Sequence, residues 1–279
     1  MNETFYIVDG VVEEVLEVKP HLYFPEGITG ISRGLFAGYD EEDEDNIYAE
    51  IKSIDIPGSV ETFEDISLSS CVNLETVSIG KGTKVIGERA FHGCKKIKRV
   101  DLPETITTIE KRAFTECTMD TFICPPNLIS IGEKAFVSTR ITSLHLCGRA
   151  FHIGEGAFMY SSLKTLMITA EDIFIPDRCF HACIYLQNAV IREGVLSIGD
   201  EAFSHCDALT TITIPNSVNH IGSIAFYNCE SLVSVTYNGT KAQWNAITKG
   251  ENVFWYANQN CVIHCTDGDI PADVTYQKV

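Results

Sequence analysis

Eleven cysteines are the side chains of this 279-residue sequence best suited to chemistry, as nucleophiles, metal ligands or disulfide partners. Their spacing points elsewhere. Cys71, Cys94 and Cys117 stand 23 residues apart, as do Cys183, Cys206 and Cys229, and Thr139 and Ser161 fill the equivalent place between the two runs. A position that Cys, Thr and Ser fill alike, in a unit stacked on copies of itself, reads as a small buried side chain packing between neighbours. Stacking at about 4.8 Å would still fall within the range of about 4.4–6.8 Å between Cα atoms that a disulfide spans, so distance leaves pairing open. Each run of three would then strand one thiol. Cys261 and Cys265 flank Val262-Ile263-His264. On an extended strand their sulfurs lie about 13 Å apart, too far to share one zinc without a turn.

The other reactive types are as dispersed. Eight histidines are dispersed across repeat positions, with no nucleophile and base set, paired carboxylates or glycine-rich phosphate loop. The six-acid run Asp40 to Asp45 lacks the spaced oxygen ligands and glycine of a calcium loop and reads as solvated. Asn238-Gly239-Thr240 fits a glycosylation acceptor but also a turn, and Trp244 and Trp255 suit the packing of a terminal coil. No catalytic residue, metal or cofactor is expected.

A 22–23-residue unit positions all of these side chains. Clear copies begin at Ile51, Leu74, Ile97, Met119, Ile141, Leu163, Leu186 and Leu209, and the fullest reads LTTITIPNSVNHIGSIAFYNC, Leu209 to Cys229. Alternation at its start places Ile212 and Ile214 on one side of a short strand and Thr211 and Thr213 on the other. Pro57, Pro103, Pro125 or Pro215 ends the strand, having no N–H for a ladder. Gly222 is expected to permit a tight bend, and Ala225-Phe226 to lie on a short helical turn. Stacked copies would align the strands in one parallel sheet. They would also line up Phe36, Leu68, Phe91, Phe114, Phe136, Phe158, Phe180, Phe203 and Phe226 as a spine. Cys124 takes a strand core position. The copies from Met119, Ile141 and Leu163 depart from the outline, with Cys147 for Pro, Pro176 for Gly and Cys179 for Ala.

Composition agrees with one elongated repeat domain, 45% hydrophobic and 21% charged. Its net charge of −17 disfavours nucleic acid. No stretch is long and apolar enough to span a bilayer as a helix, and acids at the start of MNETFYIVDGVVEEV read as no export signal, hence cytoplasmic as written.

The outline resembles the BspA-type leucine-rich repeats of bacteria. VIGERAF (85–91), SIGEKAF (130–136), SIGDEAF (197–203) and HIGSIAF (220–226) carry the resemblance. YNGTKAQWNAI (237–247) and VIHCTDGDI (262–270) look like that family's C-terminal cap. It implies an α/β repeat solenoid, with a parallel sheet on one face and short helical turns or irregular coils on the other. The expected organisation is an N-terminal cap at 1–18, nine repeats at 19–231 with an acidic insertion near 39–50, and a capping segment at 232–279. It also implies a non-enzymatic scaffold at the cell surface or secreted, in adhesion to a host surface or matrix protein. The alternatives are an intracellular scaffold or a structural spacer, and, from another class, an enzyme with its site in the terminal segments.

Binding is sought on the outward side chains of the sheet. Its middle column runs Asp55, Ser78, Asp101, Ile123, His145, Met167, Val190, Thr213, Thr236. Polar ends enclose an apolar centre of Ile123, His145, Met167 and Val190, flanked by Arg99 and Lys164. This patch is expected either to contact a protein partner, or to be sheltered by adjoining loops or tolerated as single exposed apolar residues.

Overall fold

The computed structural model describes residues 4–36, 45–63, 68, 71–148 and 151–274. The acidic run through residue 44 lies outside them. The described end of the insertion is a 3-10 turn, Ile47–Glu50, whose Asn46 side chain accepts from the Tyr48 N–H. The chain divides into two compact units, Met1–Arg140 and Ile141–Val279.

In the first unit the strands His21–Tyr23, Ser53–Ile56, Thr76–Ile79 and Arg99–Asp101 pair in parallel and in register. Alternation sets their faces: Val77 and Ile79 are buried while Thr76 and Ser78 are exposed. At Pro57 and Pro103 the strand gives way to a turn, the proline carbonyl accepting from Val60 at 3.1 Å and Ile106 at 3.2 Å. A second parallel ladder follows, through Thr62–Phe63, Val85–Ile86, Thr108–Ile109 and Ser130–Ile131. The coils therefore build two ladders, where the sequence suggested one sheet. No strand forms from Met119 to Pro125. That copy is one residue short and ends in Pro125-Pro126, which deny a ladder two successive donors. Cys124 there is half-buried and outside any strand, not a strand core residue.

A hairpin precedes the first coil. Phe5–Val8 pairs antiparallel with Val11–Val15 around Asp9-Gly10, both at positive φ (50° and 83°), the backbone that a tight two-residue hairpin requires and that Asp-Gly supplies. Val11 and Val12 then pair in parallel with Gly30 and Ile31.

The second unit repeats the plan. Ser143–Leu146, Thr165–Ile168, Asn188–Ile191, Thr211–Ile214, Ser234–Tyr237 and Val262–Cys265 form a parallel sheet, closed by antiparallel Gly268–Pro271. Ile173–Ile175, Val195–Ile198, His220–Ile221 and Thr248–Lys249 form its second ladder. One α-helix, Lys241–Ala246, interrupts the last coil, started by a capping box between Thr240 and Gln243.

The segment around Ala-Phe is not helical. In the coils from Phe91 to Phe254 the residue two before and the residue two after the spine phenylalanine hold positive φ, as at Arg178 and Ala182 or Glu201 and His205. Alternate N–H groups therefore point to the next coil: Arg178, Phe180 and Ala182 donate to the carbonyls of Asp200, Ala202 and Ser204. The N–H groups between them, at Cys179, His181 and Cys183, close turns three residues back. The turn region is thus a third inter-coil ladder, which an α-helix, spending its N–H groups internally, could not make.

The glycine before it serves closeness, not bending. Gly222 is absent from the positive-φ residues, and a Cβ placed there would lie 2.4 Å from the Asp200 nitrogen. Gly132, Gly199 and Gly250 approach the preceding coil equally closely, and Asp177 and Asp200 use the space to accept from the N–H of Asp200 and Ser223.

Both units are filled by the phenylalanine position. Phe91, Phe114 and Phe136 stack at 5.0 and 5.2 Å in the first unit. In the second, Phe158, Phe180, Phe203, Phe226 and Phe254 stack at 5.7, 5.2, 5.6 and 5.2 Å. All are buried, as are Phe36 and Leu68. Phe254 continues the spine beyond the last clear copy: Lys249-Gly250 and Val253-Phe254 keep the outline, displaced by the inserted helix. The cysteine column lies beside the spine. Thiols of Cys94, Cys117, Cys183, Cys206 and Cys229 donate to the carbonyls of Leu68, Phe91, Phe158, Phe180 and Phe203, one coil back. Burial pushes the Cys94 and Cys183 thiols up to about 12, so they stay protonated and serve as donors. The position takes other small hydroxyl donors with different partners: Thr139 donates to the Phe136 carbonyl of its own coil, and the Ser161 hydroxyl meets the Cys183 thiol at 3.2 Å.

Candidate functional site: an outward sheet face

The structure distributes the outward residues between the units. Ile123 and Arg99 belong to the first. Ile123 is 85% exposed on the segment that forms no strand, and Arg99 is ion-paired to Asp101 at 2.5 Å. His145, Met167, Val190 and Lys164 belong to the second unit.

There the parallel register brings three of them together. His145 is paired with Met167, Met167 with Val190, and Val190 with Thr213, so successive side chains stand about 4.8 Å apart on one face. The strands place them outward because Leu144 and Leu146, Leu166 and Ile168, and Ala189 and Ile191 alternate with them and are buried. Met167 is 39% exposed, His145 exposed and Val190 half-buried. The His145 ring contacts the Thr169 hydroxyl through Nε2 at 2.9 Å, which fixes its direction.

The neighbouring outward column is polar and satisfied within itself. Thr165 donates to the Ser143 hydroxyl at 3.0 Å, and Thr211 donates to the Asn188 amide oxygen at 2.7 Å. Exposed Lys164 adjoins it. The face therefore offers a flexible thioether, a branched aliphatic and an imidazole beside hydroxyls already engaged with one another. Such a surface gains by covering apolar area and has few unmet polar demands. It holds no nucleophile activated by a base.

The tempting residues elsewhere are accounted for by packing. Val262–Cys265 is an extended strand, which separates Cys261 from Cys265, and among the described residues no three His, Cys, Asp or Glu side chains converge as metal ligands. Trp244 is buried against Tyr237 at 5.2 Å with the Lys249 ammonium 4.9 Å above its ring. Asn238 is exposed on the turn before the helix. One feature that the sequence reading missed is a row of rings beside the spine: Tyr160, His181, His205, Tyr227, Trp255 and Tyr256. Its signal was present, an aromatic or histidine one or two places past each spine phenylalanine from Phe158 to Phe254.

No curated protein matches the chain. Among solved structures it is similar to a leucine-rich repeat protein from Bacteroides ovatus ATCC 8483, with 20% identity over 90% of this chain and 89% of that one and a TM-score of 0.51. It is also similar to the leucine rich repeat protein of T. pallidum, with 19% identity, 92% and 98% coverage and a TM-score of 0.48. A leucine rich cell surface protein from Faecalibacterium prausnitzii A2-165 aligns at 18% identity, 88% and 95% coverage and a TM-score of 0.34. The BspA type Leucine rich repeat region matches residues 44–165 and 173–266 in six copies, and the paired strands, stacked phenylalanines and close-packed glycines of both units are what that repeat builds. The chain belongs to the BspA-type leucine-rich repeat family.

Proposed function

We propose that the chain is a non-enzymatic protein-binding scaffold that engages its partner through the outward sheet face of the second unit, centred on Met167, Val190 and His145, with Lys164 at its margin. The observation that carries this reading is the outward in-register column of His145, Met167 and half-buried Val190 in a sheet whose neighbouring polar column is internally satisfied. Repeat proteins present such faces to other macromolecules. Ile123 and Arg99 are proposed as contacts that the first unit contributes by itself. The reading extends to adhesion: the partner is a surface or matrix protein of a host, and the bearer a host-associated bacterium.

The test is affinity capture from host matrix extract and, separately, from bacterial lysate, with the wild-type chain and the Met167→Asp/Val190→Asp variant. Both substituted side chains point outward, so folding should be retained. Loss of a specifically captured matrix protein on substitution is the expected result. Equal capture by both proteins contradicts the face, and capture from bacterial lysate alone contradicts adhesion.

A further inference from the structure

The ring row of the second unit leads to a groove. Tyr160 meets His181 at 5.7 Å, His181 meets His205 at 5.5 Å, His205 meets Tyr227 at 5.1 Å, and Tyr227 meets Trp255 at 5.6 Å, all edge to face or steeply tilted. Trp255 and Tyr256 then lie almost parallel at 5.1 Å. Tyr160 is 52% exposed and the others are half-buried. At the Tyr256 end opens a cavity of about 400 Å³ lined by Asn228, Glu230, Tyr256, Asn258, Gln259 and Asn260.

The lining chemistry is narrow: four carboxamides, one carboxylate, one phenol ring and no cation. Asn258 builds the wall. Its Nδ2 donates to the Glu230 carbonyl at 2.9 Å, and its Oδ1 accepts from the Asn260 N–H at 2.9 Å. The backbone of Asn228 is fixed by donation to the Trp255 carbonyl at 3.0 Å. The side-chain amides of Asn228, Gln259 and Asn260 remain available, each with two donors and an acceptor.

Paired donors and acceptors beside an aromatic ring suit a ligand that alternates hydroxyl groups with C–H faces. An anion is opposed by Glu230, by the missing cation and by the net charge of −17. A purely apolar ligand would leave the amides unpaired. We propose that this groove and the adjoining ring row bind a neutral oligosaccharide, with amides of Asn228, Gln259 and Asn260 on its hydroxyls and the Tyr256 ring against a pyranose face. The site is separate from the Met167 face, so either can fail alone.

The test is a titration of the full, isotope-labelled chain with cellohexaose, laminarihexaose, mannohexaose and an oligogalacturonate, followed by amide chemical shifts. A neutral glycan should give saturable shifts in the side-chain amides of Asn228, Gln259 and Asn260. The Gln259→Ala/Asn260→Ala variant should bind at least about tenfold more weakly, since hydroxyls held by amides are discriminated by their loss. Gln259 and Asn260 are exposed, so this pair tests the site even if Tyr256→Ala disturbs packing against Trp255. The Met167→Asp/Val190→Asp variant should bind as the wild type does. No saturable shift with any neutral probe at millimolar concentration, shifts centred outside the groove, or binding of the oligogalacturonate alone would overturn the proposal.

Discussion

Replacing Phe203 by Ala measures how much one coil depends on its neighbours. The ring is fully buried and stacked on Phe180 at 5.2 Å and Phe226 at 5.6 Å. Removing a buried phenylalanine costs about 3–5 kcal/mol, more where the site cannot collapse. Collapse is resisted here. The Phe203 N–H is held to the Ala225 carbonyl and the Phe180 N–H to the Ala202 carbonyl, both at 2.8 Å, which fixes the coil spacing. A loss near 5 kcal/mol follows. Phe203→Leu keeps most of the buried area and forfeits the two ring pairs, each worth about 0.5–1.5 kcal/mol, so it should cost roughly 1–3 kcal/mol. Urea unfolding of the three proteins gives the totals. Because repeat stability is carried by nearest neighbours, hydrogen exchange at the Phe180, Phe203 and Phe226 amides should accelerate by roughly three to four orders of magnitude, at about 1.4 kcal/mol per tenfold. A cost below about 1 kcal/mol for the alanine variant, or acceleration spread evenly over the chain, would refute the stacked spine.

Gly199→Ala should cost about 3 kcal/mol or more in thermal and urea unfolding. Its Cβ would lie 2.5 Å from Asp177 Oδ1 and 2.6 Å from the Asp177 nitrogen, and overpacked backbone cannot yield cheaply. Gly93→Ala, with nothing within 4 Å but φ at +74°, should cost only about 1–2 kcal/mol. Ile224 holds φ at 48°, where a β-branched residue is strained, so Ile224→Gly should cost under about 1 kcal/mol, far less than Ile221→Gly in the core. The Cys183 thiol is pushed to about 12 by burial, above about 8.5 when unfolded. Its contribution is therefore complete below about pH 8.5 and declines as pH rises toward 12, by about 1.4 kcal/mol per unit. Urea unfolding free energies of wild type and Cys183→Ser should run parallel below about pH 8.5 and diverge above it; curves still parallel at about pH 10 would contradict the buried thiol.

The period made much of this fold legible. Leu209 to Cys229 encodes which side chains of a coil face inward, and the alternation around Ile212 and Ile214 fixes the outward face that carries Met167 and Val190. What escaped the sequence depends on the next coil. Nothing in Ala-Phe distinguishes a helical turn from left-handed residues on either side of it, because the N–H groups of Arg178, Phe180 and Ala182 choose acceptors in a neighbouring coil. The same holds for Gly222, which suggests a bend when read locally and proves to be a contact distance. The Asp9-Gly10 hairpin and the Lys249-Gly250 and Phe254 continuation carried clear local signals, masked in the second case by the inserted helix. The missing strand at Ile123 follows from Pro125-Pro126 and one deleted residue, which periodicity treats as noise. The outward column proposed for binding was legible as positions, whereas its exposure and the His145–Thr169 contact needed coordinates.

Stacking of successive coils underlies the whole architecture of the second unit. An aromatic NOESY spectrum of the chain labelled only at phenylalanine tests it most directly. Cross-peaks should connect Phe158 to Phe180, Phe180 to Phe203, Phe203 to Phe226 and Phe226 to Phe254, with none skipping a coil. Missing neighbour peaks, or strong peaks between Phe158 and Phe226, would contradict the single file.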